Sequence, residues 1–204
     1  MKTGNILFVC TLIIFLLCAT NLPASDGITL AVVTDPGAAQ NICAEKFKSL
    51  LESRSSMKVT IYESGVKGNE TEILKTVQTN TVNMAIVTSG PFDKFVPETR
   101  VVDFPCLFTD YEAADKALSG PPGQKLLKSL EKGGFKGIAF TENGFRHLTN
   151  SKRPVHKVKD VQGLTIRVME SLIYEKLWQL FGAEAIPMGW PIKKELEQGK
   201  IDGQ

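Results

Sequence analysis

The 204-residue chain has few of the residues that usually reveal a mechanism. Its two histidines, His147 and His156, are nine positions apart, unlike the close pairs of zinc sites. The four cysteines make no disulfide framework: Cys10 and Cys18 lie in the first apolar run, which leaves Cys43 and Cys106 far apart in sequence. Cys43 falls on an expected helix and Cys106 in "FPCLF". Both read as small buried hydrophobes, with a disulfide between them as the alternative. No block of five or more Lys and Arg occurs and the net charge is only +2, so nothing favours nucleic acid as a partner. Nucleophile-elbow, phosphate-loop and His-Glu-x-x-His patterns are all missing. Asp110, Glu112 and Asp115 are clustered carboxylates, but they occupy helix-start positions where acidic residues suit the helix dipole. The reading is therefore a protein without catalysis, metal or cofactor.

Charge is also missing from the N-terminus, where Lys2 is the only charged residue before Asp26. Ile6 to Ala19 is a 14-residue apolar run broken only by Thr11, shorter than the roughly 17 to 25 residues a bilayer span requires. The small residues of "LPAS" follow it. Residues 1–24 thus read as a secretory signal peptide, with the mature chain starting at Ser25 or Asp26 in the periplasm. A retained anchor and a lipid anchor at Cys18 are the weaker alternatives.

The remainder, with 43% hydrophobic and 23% charged residues in the whole chain, has the composition of a soluble globular protein. Strand-like and helix-like segments alternate. "ITLAVV" (28–33) and "KVTIY" (58–62) predict strands around an amphipathic helix at 40–53. Asn69 with Glu72 three residues on predicts a capping box and a helix from Glu70 to about Thr79. "MAIVT" (84–88) predicts a buried strand ending at Ser89-Gly90-Pro91. Helices are expected at 111–118 and 123–132, and a strand at 137–142 broken by Asn143-Gly144. The pattern then repeats as strand 164–168, helix 172–181, a short strand at 185–187 and a helix begun by Pro191. Such alternation belongs to parallel α/β sheets. It divides the chain into a first α/β lobe, 25–142, and a second, 143–204.

Two arginines stand out. Arg146 follows the Asn143-Gly144 turn, and Arg167 lies in "GLTIRV" between Ile166 and Val168. A guanidinium in an apolar strand is costly to bury unless something negative meets it. An internal carboxylate could serve. Guanidinium is, however, shaped to hold a carboxylate through two parallel hydrogen bonds, and both arginines fall near the lobe junction, where α/β proteins collect ligands.

At this point the chain resembles a known family, the periplasmic solute-binding subunits of tripartite ATP-independent periplasmic (TRAP) transporters, of the DctP type. The resemblance runs from about Ile28 to Gln204. Its marks are "FPCLFTDYEAADKALSGPPGQKLL", "ENGFRHLTNSKRPV", "DVQGLTIRVMES", "LFGAEAIPMGW" and "GKIDGQ", in that order. It implies a periplasmic binding protein-like clam-shell of two α/β lobes closing on a small organic acid and delivering it to membrane permease subunits. Arg167 is then expected to clamp the ligand carboxylate and Arg146 to add a second cationic contact. Trp190 corresponds to a bulky wall position, and Glu70 and Ser89 to first-lobe positions that line the cleft.

Two departures qualify the resemblance. "WPIKKELEQG" lacks the Glu-x-Tyr element of the family and is one residue short, and Gln204 falls inside the family's "DGQEN". The second lobe is accordingly expected to be incomplete, loosely packed and rich in exposed apolar surface. A truncated remnant without a transport role is the alternative function. An enzyme built on the same fold is disfavoured by the missing catalytic groups.

Overall fold

The structure is a computed structural model that describes residues 27–204; the expected signal peptide lies outside the described residues. Three parallel strands form the first sheet: β1 (Gly27–Ala31) in the centre, β2 (Lys58–Tyr62) on one side and β3 (Met84–Ala85) on the other. Register runs from Gly27↔Lys58 to Ala31↔Tyr62, and Leu30 and Ala31 face Met84 and Ala85.

Helices cover both faces, and the two-residue period of β1 shows how. Leu30 and Val32 pack with Val59 against Ala44 and Phe47 of α1 (Ala39–Arg54). Ala31 and Val33 point the other way, onto Ile73 and Val77 of α2 (Glu70–Gln78). A strand buried on both faces reads as a continuous apolar run, which is why "ITLAVV" shows no polar alternation. The expected capping box is present: Asn69 accepts from the Glu72 amide at 3.0 Å, and Glu72 accepts from the Asn69 amide at 2.8 Å.

Beyond α2 the chain makes two 3₁₀ segments, Gly90–Lys94 and Pro97–Asp103, where the sequence pattern gave no helix. Phe92 and Phe95 meet Phe135 edge-on, at ring distances of 5.3 and 5.4 Å, in a third layer with Leu74, Val96 and Leu130. Helices α3 (Tyr111–Ser119) and α4 (Pro121–Ser129) form a hairpin around Gly120-Pro121. Asp110 caps α3 through the Ala113 amide at 2.8 Å, so this carboxylate serves the helix start as expected. Within α4, a Cβ on Gly123 would stand 1.8 Å from the Leu118 carbonyl oxygen. Backbone cannot swing aside as a side chain can. Gly123→Ala should cost about 1–3 kcal/mol by overpacking, more than the helix-propensity gain of at most about 1 kcal/mol. A lower urea midpoint at unchanged m-value would show it.

The second sheet pairs β4 (Thr165–Val168) with β5 (Glu184–Pro187) in parallel, with α5 (Leu172–Leu180) as the crossover. Leu164, Ile166, Val168 and Ala183 form its core with Trp178 and Phe181. Gly203 bridges β4 on its other side, parallel to Ile166, and pairs antiparallel with Asn150. Before it lies the short helix α6 (Lys193–Glu197), two residues after Pro191.

Residues 137–142 form no strand: no ladder partner meets them among the described residues, and Ile138 is 70% exposed. An extended segment becomes a strand only when a neighbour takes its backbone hydrogen bonds. Cys106 is exposed and free, in a left-handed conformation with φ 57°, within a turn whose Phe104 and Leu107 are also exposed. It is not a buried hydrophobe. Cys43 is half-buried and free, so the alternative disulfide is not formed. In the second lobe Leu164 and Ile166 are at most 1% exposed, whereas Leu172, Leu180, Trp190 and Leu196 are 39–84% exposed, in keeping with the exposed apolar surface expected there. No helix among the described residues is long and apolar enough to cross a membrane.

Candidate ligand-binding site

The strand order β2-β1-β3 reverses direction at β1, and the loops leaving β1 and β3 diverge from that point. A crevice at the carboxyl ends of the strands follows from this topology. The groups gathered there are polar. Glu70, the first residue of α2, is buried, with three hydrogen bonds on its carboxylate. Its Oε1 accepts from Gln40 Nε2 at 3.0 Å and from the Thr88 amide at 2.7 Å. Its Oε2 accepts from the Thr88 hydroxyl at 2.6 Å.

The second sheet supplies the cation. Arg167 points from β4 and is only 8% exposed. Its Nε donates to the Met188 carbonyl at 2.8 Å, and its backbone amide donates to Gly203 at 2.8 Å. Among the described residues no carboxylate stands within ion-pair distance of it. Burial depresses its pKa, and the charge of Arg146 adds to the effect, while Glu70 and Glu170 oppose it. Just past Met188, Gly189 lies against the neighbour of Glu70: a Cβ there would come within 2.7 Å of Asn69 Cβ. The loop after β5 therefore sets Arg167 opposite the start of α2.

Other contacts tie the two sheets together around this point. Glu170 accepts from Thr71 and from Lys94, each at 2.8 Å. Burial raises its pKa, but these bonds and the Lys94 and Arg167 charges leave it lowered overall. Asp93, buried in the first 3₁₀ segment, accepts from the Leu172 amide at 2.6 Å, from Ser171 at 3.1 Å and from Arg100. Met169 receives the Thr88 hydroxyl at 3.4 Å and Arg146 Nη2 at 3.2 Å on its sulfur.

Of the expected site residues, Glu70 and Arg167 lie on the two sides of the seam, near enough for the Glu70 charge to act on the guanidinium. Arg146, an exposed residue, joins them through Met169. Ser89 does not open toward Arg167 but donates to Asp103, which also accepts from Tyr174 at 2.9 Å. Trp190, 40% exposed, stands just beyond Gly189. No sequence signal marked Gln40, Thr88, Asp93, Asp103, Met169, Glu170 or Tyr174. All of them enter the site through partners remote in the chain.

Asp103 carries a pH signature. Its buried Oδ2 meets no protein donor among the described residues. Desolvation raises its pKa, against the hydrogen bonds from Ser89 and Tyr174 and the Arg146 charge. A carboxylate with a raised folded-state pKa weakens the fold as it ionises. This penalty is absent below the ordinary aspartate value of 3.8 and grows as pH rises toward the elevated one. Asp103→Asn should escape it, so its melting temperature should gain on the wild type as pH climbs through that window. A difference that stays flat with pH would contradict the assignment.

Two parallel α/β sheets that meet at a seam with a buried guanidinium and a buried carboxylate have a periplasmic binding protein-like fold. Residues 30–204 match the family DctP, bacterial extracellular solute-binding protein family 7, and the chain belongs to that family. A solute-binding protein of Verminephrobacter eiseniae is 36% identical over 184 residues, 89% of this chain and 55% of that protein. A TRAP periplasmic solute-binding protein from Polaromonas sp. JS666, solved with D-erythronate, is 38% identical with a TM-score of 0.84, over 87% of this chain and 60% of the other. The sugar acid binding protein DctPAm of Advenella mimigardefordensis, in complex with galactonate, is 30% identical with a TM-score of 0.84, covering 87% and 58%. The chain thus spans somewhat more than half the length of these relatives.

Proposed function

We propose that this protein is the extracytoplasmic solute-binding subunit of a TRAP transporter, that it binds an organic acid through its carboxylate, and that it hands the acid to membrane permease subunits. One observation carries the reading: a guanidinium nine-tenths buried, Arg167, faces the seam between the lobes without an ion-pair partner among the described residues. Arg146 lies close enough to add to the positive potential there. A carboxylate held between the two offsets the cost of desolvating them, and it does so best when both lobes surround it. Ligand binding therefore favours the closed arrangement, and the permease distinguishes that arrangement from the open one. Residues 25–142 act as the first lobe and 143–204 as the second. Trp190, Glu70 and Ser89 line or support the cleft, and residues 1–24 are the export signal.

Binding alone is the function; no step of chemistry is needed. Calorimetric titration of the purified protein with mono- and dicarboxylic acids tests the core of the proposal, with saturable binding of at least one acid as the expected result. Loss of any response across the panel would overturn it. N-terminal sequencing of protein from the periplasm should begin at Ser25 or Asp26, whereas an intact Met1 there would refute the signal peptide.

A further inference from the structure

Residues 136–148 run past the rest of the molecule without a hydrogen bond from their backbone to any described residue. Over 136–142 the chain makes neither turn nor bend. It is held in place all the same, because Gly137 lies so close to α4 that a Cβ there would come within 2.7 Å of the Leu127 carbonyl oxygen. The result is a straight strand edge with nothing paired to it. Ile138 is 70% exposed, and Ala139, Thr141 and Glu142 are exposed as well. Such an edge is a template for pairing with another chain, and natural edges are commonly blunted by Lys or Pro. The middle of this one reads Ile138-Ala139-Phe140.

The stretch "KGIAFTE", Lys136 to Glu142, is complementary to itself. A two-fold axis normal to a strand pair keeps each residue on its own face, so two copies can pair antiparallel about it only in registers centred on a residue. Centring on Ile138 sets Lys136 against Phe140, and centring on Phe140 sets Ile138 against Glu142. Centring on Ala139 sets Lys136 against Glu142 and Ile138 against Phe140, each of them twice. One face of the pair then carries its apolar side chains between two pairs of opposite charge, and the other carries only the small Gly137, Ala139 and Thr141. Lys136 is available for this exchange, since its bond to Glu131 at 3.2 Å is an exposed pair of little weight.

We propose that two copies of this chain associate in that register, as a two-stranded antiparallel ladder from Lys136 to Glu142. Directly opposed aromatic and β-branched residues, and directly opposed unlike charges, are the pairs that stabilise antiparallel strands. The ladder is short, well below a standard-size interface, so the dimer is weak and depends on concentration. It does not rest on the ligand-binding reading, because neither Arg167 nor Arg146 belongs to the ladder.

Sedimentation equilibrium of the full chain over a range of concentrations should show monomer and dimer in exchange. Ile138→Lys places a cation in the middle of the apolar face and should raise the dimer Kd by at least about tenfold. Lys136→Glu and Glu142→Lys each set like charges opposite one another at two places, and each should raise Kd by about tenfold. The double variant Lys136→Glu/Glu142→Lys exchanges the partners and should return to within about threefold of the wild type. All three positions are exposed, so the fold tolerates the changes, which melting curves check. A monomer at every concentration would overturn the proposal. So would a dimer indifferent to Ile138→Lys, the result expected if the apolar run at 6–19 or another face holds the copies together. Two weakened single variants whose combination does not recover would overturn the register centred on Ala139.

Discussion

Arg167→Ala should lower affinity for the bound acid by about 30-fold to several thousand-fold, equivalent to about 2–5 kcal/mol. The size of the effect follows from burial. Arg167 is 8% exposed and its Nε is already committed to Met188, which leaves Nη1 and Nη2 for the proposed carboxylate. Removing it leaves a desolvated anion without its counter-charge. Arg167→Lys should also be impaired, because an ammonium cannot keep the Met188 bond and present a planar pair of donors at once. Arg146→Ala should cost less, since that residue is exposed and rests on a thioether, a weak acceptor. Titration calorimetry reads all three. An Arg167→Ala protein with wild-type affinity would end the assignment.

The second large effect is on stability. Asp93→Ala should destabilise the protein by about 2–4 kcal/mol, combining a lost helix cap with a broken ion pair. Ser171 stands at the N-cap of α5 but makes no capping bond to that helix. Asp93 makes it instead, reaching across from the 3₁₀ segment to the Leu172 amide. The paired Arg100 is partly exposed and recovers water when Asp93 is removed, which keeps the cost below that of a fully buried pair. Asp93→Asn should lose less, because an amide oxygen still accepts from Leu172. Urea unfolding gives the magnitude, and hydrogen exchange should show the start of α5 losing protection first. A change within about 0.5 kcal/mol, typical of plain surface substitutions, would contradict the cross-lobe cap.

The elements that could be read from the sequence are those whose causes are local. The capping box at Asn69 and Glu72 and the strand "KVTIY" each depend on residues a few positions apart, and each is present, whereas the buried strand expected at 84–88 is a half-buried pair, Met84–Ala85. Arg167 was legible because a lone cation in an apolar strand is conspicuous. Asp93 and Asp103 were not: in sequence they look like any carboxylate near a lysine or arginine, and what buries them is a helix some seventy residues away. The same holds for Gln40, whose orientation is dictated by Glu70, 30 positions on. Residues 137–142 failed in the opposite sense. Their composition suits a strand, but strand formation needs a partner, which no local pattern supplies.

The pairing of Gly203 with Asn150 and Ile166 has a consequence for the order in which the molecule assembles. Every ladder of the first sheet joins residues between Gly27 and Ala85, so a chain emerging from its N-terminus holds all three strands early. The second sheet has to wait. Ser151 meets Asp202 across 51 residues and Thr165 meets it across 37. Loop closure penalises such spans only logarithmically, about 0.6 kcal/mol per doubling, so the delay comes from the time taken to emerge and not from energy. Until Asp202 and Gly203 arrive, β4 is paired on one side alone and the backbone amide of Arg167 has no acceptor. The hydrogen bonds around Glu70 are thus complete while the strand that carries Arg167 still has a free edge.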